Sequence, residues 1–312
     1  MVYVKRMLSV SVLLFVLLCG DLSGQEAPPG RMNQYPSPMV DHIRAHERIE
    51  NKEVPGVSFV LKDVLSKPVE VYFADKEDKS GPMDLLIHFH GLSYVPKHAV
   101  YKSEHPVVLA VVNLGSGSSV YEKAFKNPST FPRLVEKIAQ EVSERKGATI
   151  KPSRVYLSSF SAGYGAVRAI LKHHISTVDG IVLLDGLHTD YVPSRRVLAQ
   201  GGTLNEENLK DFVRNARLAM ENKKRFLMTH SEIFPGTYAS TTETTDYLIR
   251  SLDLQRHPVL KWGPGGMQML TETRAGGLTL LGFAGNSAPD HVDHFHGLPE
   301  FLISLERMGV KY

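Results

Sequence analysis

The chain is 312 residues long, with 36 Lys+Arg against 33 Asp+Glu for a formal charge of +3, and is 42% hydrophobic and 22% charged. That balance belongs to a folded globular protein and excludes disorder, collagen and coiled coil. No Lys/Arg block forms a basic stripe, which argues against a dedicated nucleic-acid binder, and the length suits one large domain or two small ones.

At the N-terminus, Lys5 and Arg6 precede an apolar run over 7–19. The run is short of the roughly 20 residues a spanning helix needs and fits the h-region of an export signal. Leu22-Ser23-Gly24 offers a cleavage site with a small residue at its end. An uncleaved anchor is the alternative, while a lipoprotein reading through Cys19 meets bulky Leu18 where a small residue is usual. Segment 1–24 is therefore expected to direct the protein to the periplasm or medium, with no stable membrane insertion after cleavage. Cys19 is the only cysteine, so the mature chain would have neither disulfides, Cys-ligated zinc nor a cysteine nucleophile. Its charge would be +2. Segment 25–38, rich in Pro and Gly, reads as a linker to a domain over 39–312.

Within that domain, strands alternate with helices. Apolar runs bounded by Gly, Pro or polar residues predict strands at 57–61, 69–74, 84–88, 106–113, 154–159, 180–185, 225–230 and 278–284. The first two read as an antiparallel hairpin. Helical periodicity covers 132–146, 162–174, 205–220 and 241–252, with a Thr203-x-x-Glu206 capping box before the third and a last helix starting near Pro299. Such alternation predicts a mostly parallel sheet flanked by helices.

The most informative stretch is Arg154-Val-Tyr-Leu-Ser-Ser-Phe-Ser-Ala-Gly-Tyr-Gly-Ala-Val. A β-rich run leads through Ser161 directly into a helix, with small Ser159 and Gly163 two residues to either side and Gly165 beyond. A serine on so sharp a turn projects at the carboxyl end of the sheet, and the next N–H lies at a helix N-terminus, where negative charge is favoured. The bland alternative is a serine capping an ordinary helix. The pattern matches the nucleophile elbow G-x-S-x-G except for serine at the first position.

On this stretch, and on the order of the elements from about His88 to His296, the chain resembles the α/β-hydrolase superfamily. The resemblance implies a mostly parallel eight-stranded sheet, with a small helical cap over 205–220 and the Tyr238 loop shaping access. It also implies an oxyanion hole of two backbone N–H groups, from Ala162 and from the loop after an earlier strand. Here that loop carries His90-Gly91-Leu92, which makes Leu92 the second donor and His90 a shaping residue.

A serine hydroxyl needs a neutral imidazole to take its proton. The family's chain order is serine, acid, histidine. After the last predicted strand comes Asp290-His291-Val-Asp293-His294-Phe-His296, expected as a loop holding the base, with His291 and His294 as rivals. Glu232, three residues before Pro235 in the loop after the preceding strand, is the implied acid, and Asp185 is the alternative.

Together these imply an exported serine hydrolase cleaving carboxylic esters, small or polymer-borne, with no metal or cofactor required. A serine peptidase or amidase would use the same residues, and a lapsed binding protein would share the fold. A metal-dependent hydrolase could draw on His88, His90 and the late histidines, but would leave the serine turn unexplained. The single Trp262 reads as part of a structural turn, with no aromatic stripe to mark a carbohydrate platform.

Overall fold

The computed structural model describes residues 47–74 and 82–308, so the expected export signal and linker lie outside the described residues. Strands β1 (Val57–Leu61), β2 (Val69–Phe73) and β3 (Asp84–Phe89) are followed by helix α1 (Tyr94–Lys102), β4 (Val107–Val112), α2 (Ser118–Ala124) and α3 (Thr130–Lys146). Next come β5 (Val155–Phe160), α4 (Tyr164–His174), β6 (Gly180–Leu184), the short pair β7 (Tyr191–Val192) and β8 (Thr203–Leu204), α5 (Lys210–Met220), β9 (Arg225–His230) and α6 (Thr241–Ser251). The chain closes with β10 (His257–Trp262), β11 (Gln268–Ala275), β12 (Leu278–Phe283), α7 (Ala288–His296) and α8 (Leu298–Arg307).

All eight expected strands form, but the main sheet has ten, in the order β1-β2-β4-β3-β5-β6-β9-β12-β11-β10. From β4 through β3, β5, β6 and β9 to β12 the pairing is parallel, and both flanks are antiparallel. A parallel centre flanked by helices is the arrangement that the resemblance to the α/β-hydrolase superfamily implies. The two extra strands escape a search for apolar runs because β10 is an edge strand with mostly exposed side chains and β11 has no continuous buried face.

Central strands are buried on both faces, which explains their unbroken apolar runs. Along β3 the side chains of Leu85, Ile87 and Phe89 join one core with α3, α4 and α5, while Leu86 turns to a second core with α1, α7 and α8. That alternation is the period of two expected of a strand.

Three local expectations change. Helix α5 is not a cap. Leu209, Phe212, Ala216 and Ala219 are fully buried in the main core beside α4 and β9, so its apolar face holds the sheet together rather than covering a site. Thr203 lies in β8 with its hydroxyl donating to Val192 O, so the expected capping box does not form and the helix starts later. The late histidines sit on helix α7, not in a loop. Asp290 Oδ2 accepts from both Ser287 N and Ser287 Oγ, closing the helix start ahead of the first histidine.

Candidate active site

The site is built where three parallel strands end side by side. β5 runs into a single 3-10 turn, Ser161–Gly163, and then α4. Ser161 has φ +48°, a left-handed backbone that costs an ordinary residue about 1–2 kcal/mol. Surrounding packing enforces it. A Cβ on Gly163 would lie 2.1 Å from Phe89 O, and one on Gly165 would lie 2.2 Å from Ser118 O. Only glycine lets the elbow press against β3 and against the first turn of α2. Ser159 is fully buried, and its hydroxyl finds no partner among the described residues. Small size is therefore what that position uses.

β6 is the next strand in the sheet, and its end delivers Asp185, also at positive φ and 2% exposed. The carboxylate is saturated. Oδ1 accepts from Ser231 N at 2.9 Å and Thr241 Oγ1 at 2.6 Å, while Oδ2 accepts from Ser231 Oγ at 2.7 Å and His291 Nδ1 at 2.7 Å. Burial by itself would raise its pKa. The His294 and His291 imidazoles and the Thr241 hydroxyl outweigh burial and hold the carboxyl well below the usual carboxylate range.

His291 lies in the first turns of α7. With Nδ1–H given to Asp185, the other ring nitrogen is left as an acceptor. Phe160, the residue before Ser161, packs on the imidazole with ring centroids 4.6 Å apart. Ser161, His291, Asp185 and His188 line one cavity of about 190 Å³ whose remaining wall includes Ile233, Pro235, Tyr238 and Ala288. A second cavity of about 490 Å³ also opens on Ser161 and holds Ala162, Ser118, Tyr164 and Arg168. An imidazole oriented by a carboxylate, on the same cavity as a hydroxyl at the start of a helix, can take a proton and return it.

Of the two rival histidines, His291 faces the cavity with a quarter of its side chain exposed. His294, one turn on, is 1% exposed with Nδ1 on Thr229 Oγ1 at 2.8 Å, and burial pushes its pKa down to about 4. The spacing puts both on one helix face; depth separates them.

Glu232 does not meet either imidazole. It is exposed, its N–H donates to Gly285 O, and its Oε2 accepts from Gly285 N at 3.3 Å. It ties the loop after β9 to the loop before α7, while its neighbour Ser231 binds the real partner of His291, Asp185. The carboxylate that meets His291 thus follows β6 rather than β9, and β6 pairs directly with β5, whose end carries Ser161, while β9 lies one strand further away.

Gly91 is clamped by Asn113, which accepts from Gly91 N at 3.0 Å and donates to Gly91 O at 2.8 Å. His90 Nδ1 accepts from Tyr121 OH at 2.9 Å, and that hydroxyl accepts from Leu114 N. These contacts shape the His-Gly loop, as expected of His90. Leu92 is 65% exposed, so any part it takes is through its backbone.

His88 is spoken for at both nitrogens, 2.5 Å from Ser158 Oγ and 2.8 Å from His90 O. Among the described residues no group of three or more His, Cys, Asp or Glu is placed to hold a metal.

Sequence reasoning missed His188, Asn113 and Tyr121. His188 Nδ1 donates to Ala239 O at 2.8 Å, its ring sits between Tyr164 and Tyr238, and burial lowers its pKa. It lines both of the cavities that open on Ser161. Its position three residues after Asp185 was the available signal.

No family model matches the chain, and no curated protein matches it. Among solved structures, it is similar to a thermostable esterase, with TM-score 0.46 and 12% identity over 81% of this chain. The chain spans 62% of the length of that protein. It is likewise similar to a serine-to-alanine mutant of the feruloyl esterase module from Clostridium thermocellum complexed with sinapinate, with TM-score 0.46 and 12% identity, covering 82% of this chain and 93% of that one.

Proposed function

We propose that this chain is an exported serine hydrolase that cleaves carboxylic esters, with Ser161 as nucleophile, His291 as base and Asp185 as the acid. Ser161 Oγ attacks the ester carbonyl and passes its proton to the free nitrogen of His291. Asp185 accepts the other imidazole N–H and stabilises the imidazolium. The N–H of Ala162, joined by that of Leu92, holds the oxyanion, at about 3 kcal/mol per donor in comparable sites. Collapse expels the alcohol, which takes the proton from His291. Water, deprotonated by the same imidazole, then cleaves the acyl-enzyme and restores Ser161.

One observation carries this reading: the Asp185–His291 pair opens on the same cavity as a serine held at φ +48°. A helix-capping serine would have no reason for that backbone. The test is labelling with a fluorophosphonate followed by intact mass. One adduct, absent in Ser161→Ala, is expected, together with turnover of p-nitrophenyl acetate. A well-folded protein that takes no label refutes the serine mechanism. Export is read from the segment over 1–24, and N-terminal sequencing of the secreted form should begin at Gln25.

A further inference from the structure

The cavities on the two sides of Ser161 differ in kind. The smaller has Ile233, Pro235 and Ala288 in its wall and suits a compact acyl group. The larger is lined by the hydroxyls of Ser116, Ser118 and Ser119, by His188, and by the Arg168–Glu122 ion pair at 2.6 Å. That is a surface for a hydroxyl-rich alcohol. It does not end there. A third cavity of about 310 Å³ shares Ser119 and Glu122 with it and is bordered by Lys123, Lys126, Lys172 and His173.

Helices α2 and α4 build this path. Gly165 lets α4 press on Ser118 at the start of α2, so both helices begin at the site and both end in bases, Lys123 in one and Lys172 and His173 in the other. From Ser161 to Lys172 the chain climbs about 16 Å at helical rise, farther than a small ester reaches. The three lysines are exposed, and none forms an ion pair among the described residues. Some surface cations are paired, as in Lys137–Glu141–Arg145 and Arg154–Asp84, and others, such as Lys62, Lys67 and Lys151, form no ion pair among the described residues either; what sets these three apart is that they border one cavity. Like charges gathered at one rim repel each other unless an anion joins them.

We propose that the alcohol side of the site continues along α2 and α4 as a binding groove for an acidic, hydroxyl-rich polymer, a uronate-bearing polysaccharide whose acyl ester is presented to Ser161. This rests on the ester-hydrolase reading for its chemistry but not for its binding. Serines, His188 and the Arg168–Glu122 pair meet the hydroxyls of the acylated unit, and the lysines meet carboxylates further along the chain. Hydrolysis returns the bare hydroxyl to the polymer and leaves its charge unchanged.

The experiment separates binding from turnover. Ser161→Ala protein is run by affinity electrophoresis through polygalacturonate, and through a neutral glucan as control. Retardation by the acidic polymer alone is expected, lost in about 0.5 M salt and lost with Lys123→Glu, Lys126→Glu and Lys172→Glu combined. In active protein that triple variant should lower kcat/KM on acetylated polygalacturonate by about tenfold through KM, with p-nitrophenyl acetate turnover and melting temperature unchanged. The groove is refuted if polygalacturonate does not retard the protein, if the triple variant is retarded equally, or if single-stranded DNA or anionic vesicles are held more tightly. A protein that binds polygalacturonate in this lysine-dependent way yet cleaves no ester would leave the groove standing and overturn the ester-hydrolase reading instead.

Discussion

The ends of β3 and β6 meet histidine in opposite ways. At β3, His88 is wholly buried, stacked on Phe295, and bonded at both nitrogens, so burial holds its pKa down at about 3. At β6, Asp185 engages only Nδ1 of His291 and leaves the rest of the ring facing a cavity. The chemistry of the two side chains is identical. A histidine with both nitrogens consumed is a strut between strands. One with a single nitrogen consumed is oriented and still able to accept a proton.

The contrast breaks most sharply in activity. His291→Ala and Asp185→Asn should each lower kcat/KM on p-nitrophenyl acetate by about a thousandfold to ten-thousandfold, while Glu232→Gln should stay within about twofold because, among the described residues, its carboxylate meets only Gly285 N. Equal losses from Glu232→Gln and Asp185→Asn would reverse the assignment of the acid.

His88→Ala should show the opposite profile, with the folded fraction keeping its turnover. Urea unfolding should show a loss of about 2–4 kcal/mol, from the cavity and the stranded Ser158 hydroxyl. A variant as stable as the parent would show that His88 is no strut.

Stability should also fall with acidification. His230 and His294 are pushed down to about 4 and His88 to about 3, chiefly by burial. Unfolded, each titrates near 6.5. Between those values the unfolded chain binds protons that the folded one refuses, so stability is complete above about pH 6.5 and drains away toward pH 4. The depressed carboxyl of Asp185 adds a further loss at still lower pH. A melting temperature flat from pH 7.5 to 4.5 would contradict this burial of neutral imidazoles.

The smallest effect is expected at Ser159. Its buried hydroxyl has no partner among the described residues, so Ser159→Ala should stabilise by about 0.5–1 kcal/mol. The same change at Ser158, which bonds His88, should destabilise. Chemical denaturation of the two variants side by side compares a satisfied and an unsatisfied hydroxyl on adjacent residues of one strand.

Much of this was legible because it is local. Central strands announce themselves as apolar runs since both faces are covered. The elbow is visible because a turn that admits no Cβ must be spelled with glycine at Gly163 and Gly165. The late histidines were visible as candidates, but their helix was not, since Asp290-His291-Val-Asp293-His294 carries more polar groups than an apolar helix face normally shows. Family spacing favours Glu232 over Asp185, but spacing along the chain does not report which strand end lies beside the elbow.

Fold class, the serine turn and the short list of candidate bases and acids are thus readable along the chain, because each depends on neighbours within a few residues. That Asp185 partners His291 while His294 is buried, and that α5 belongs to the core, follows from the assembled fold. So does the gathering of Lys123, Lys126 and Lys172, which form no block along the chain, around one cavity. Those outcomes depend on the order of strands in the sheet and the packing of α2 on α4. They are contacts between residues far apart in sequence, where burial and charge are set by the assembled surface rather than by adjacent side chains.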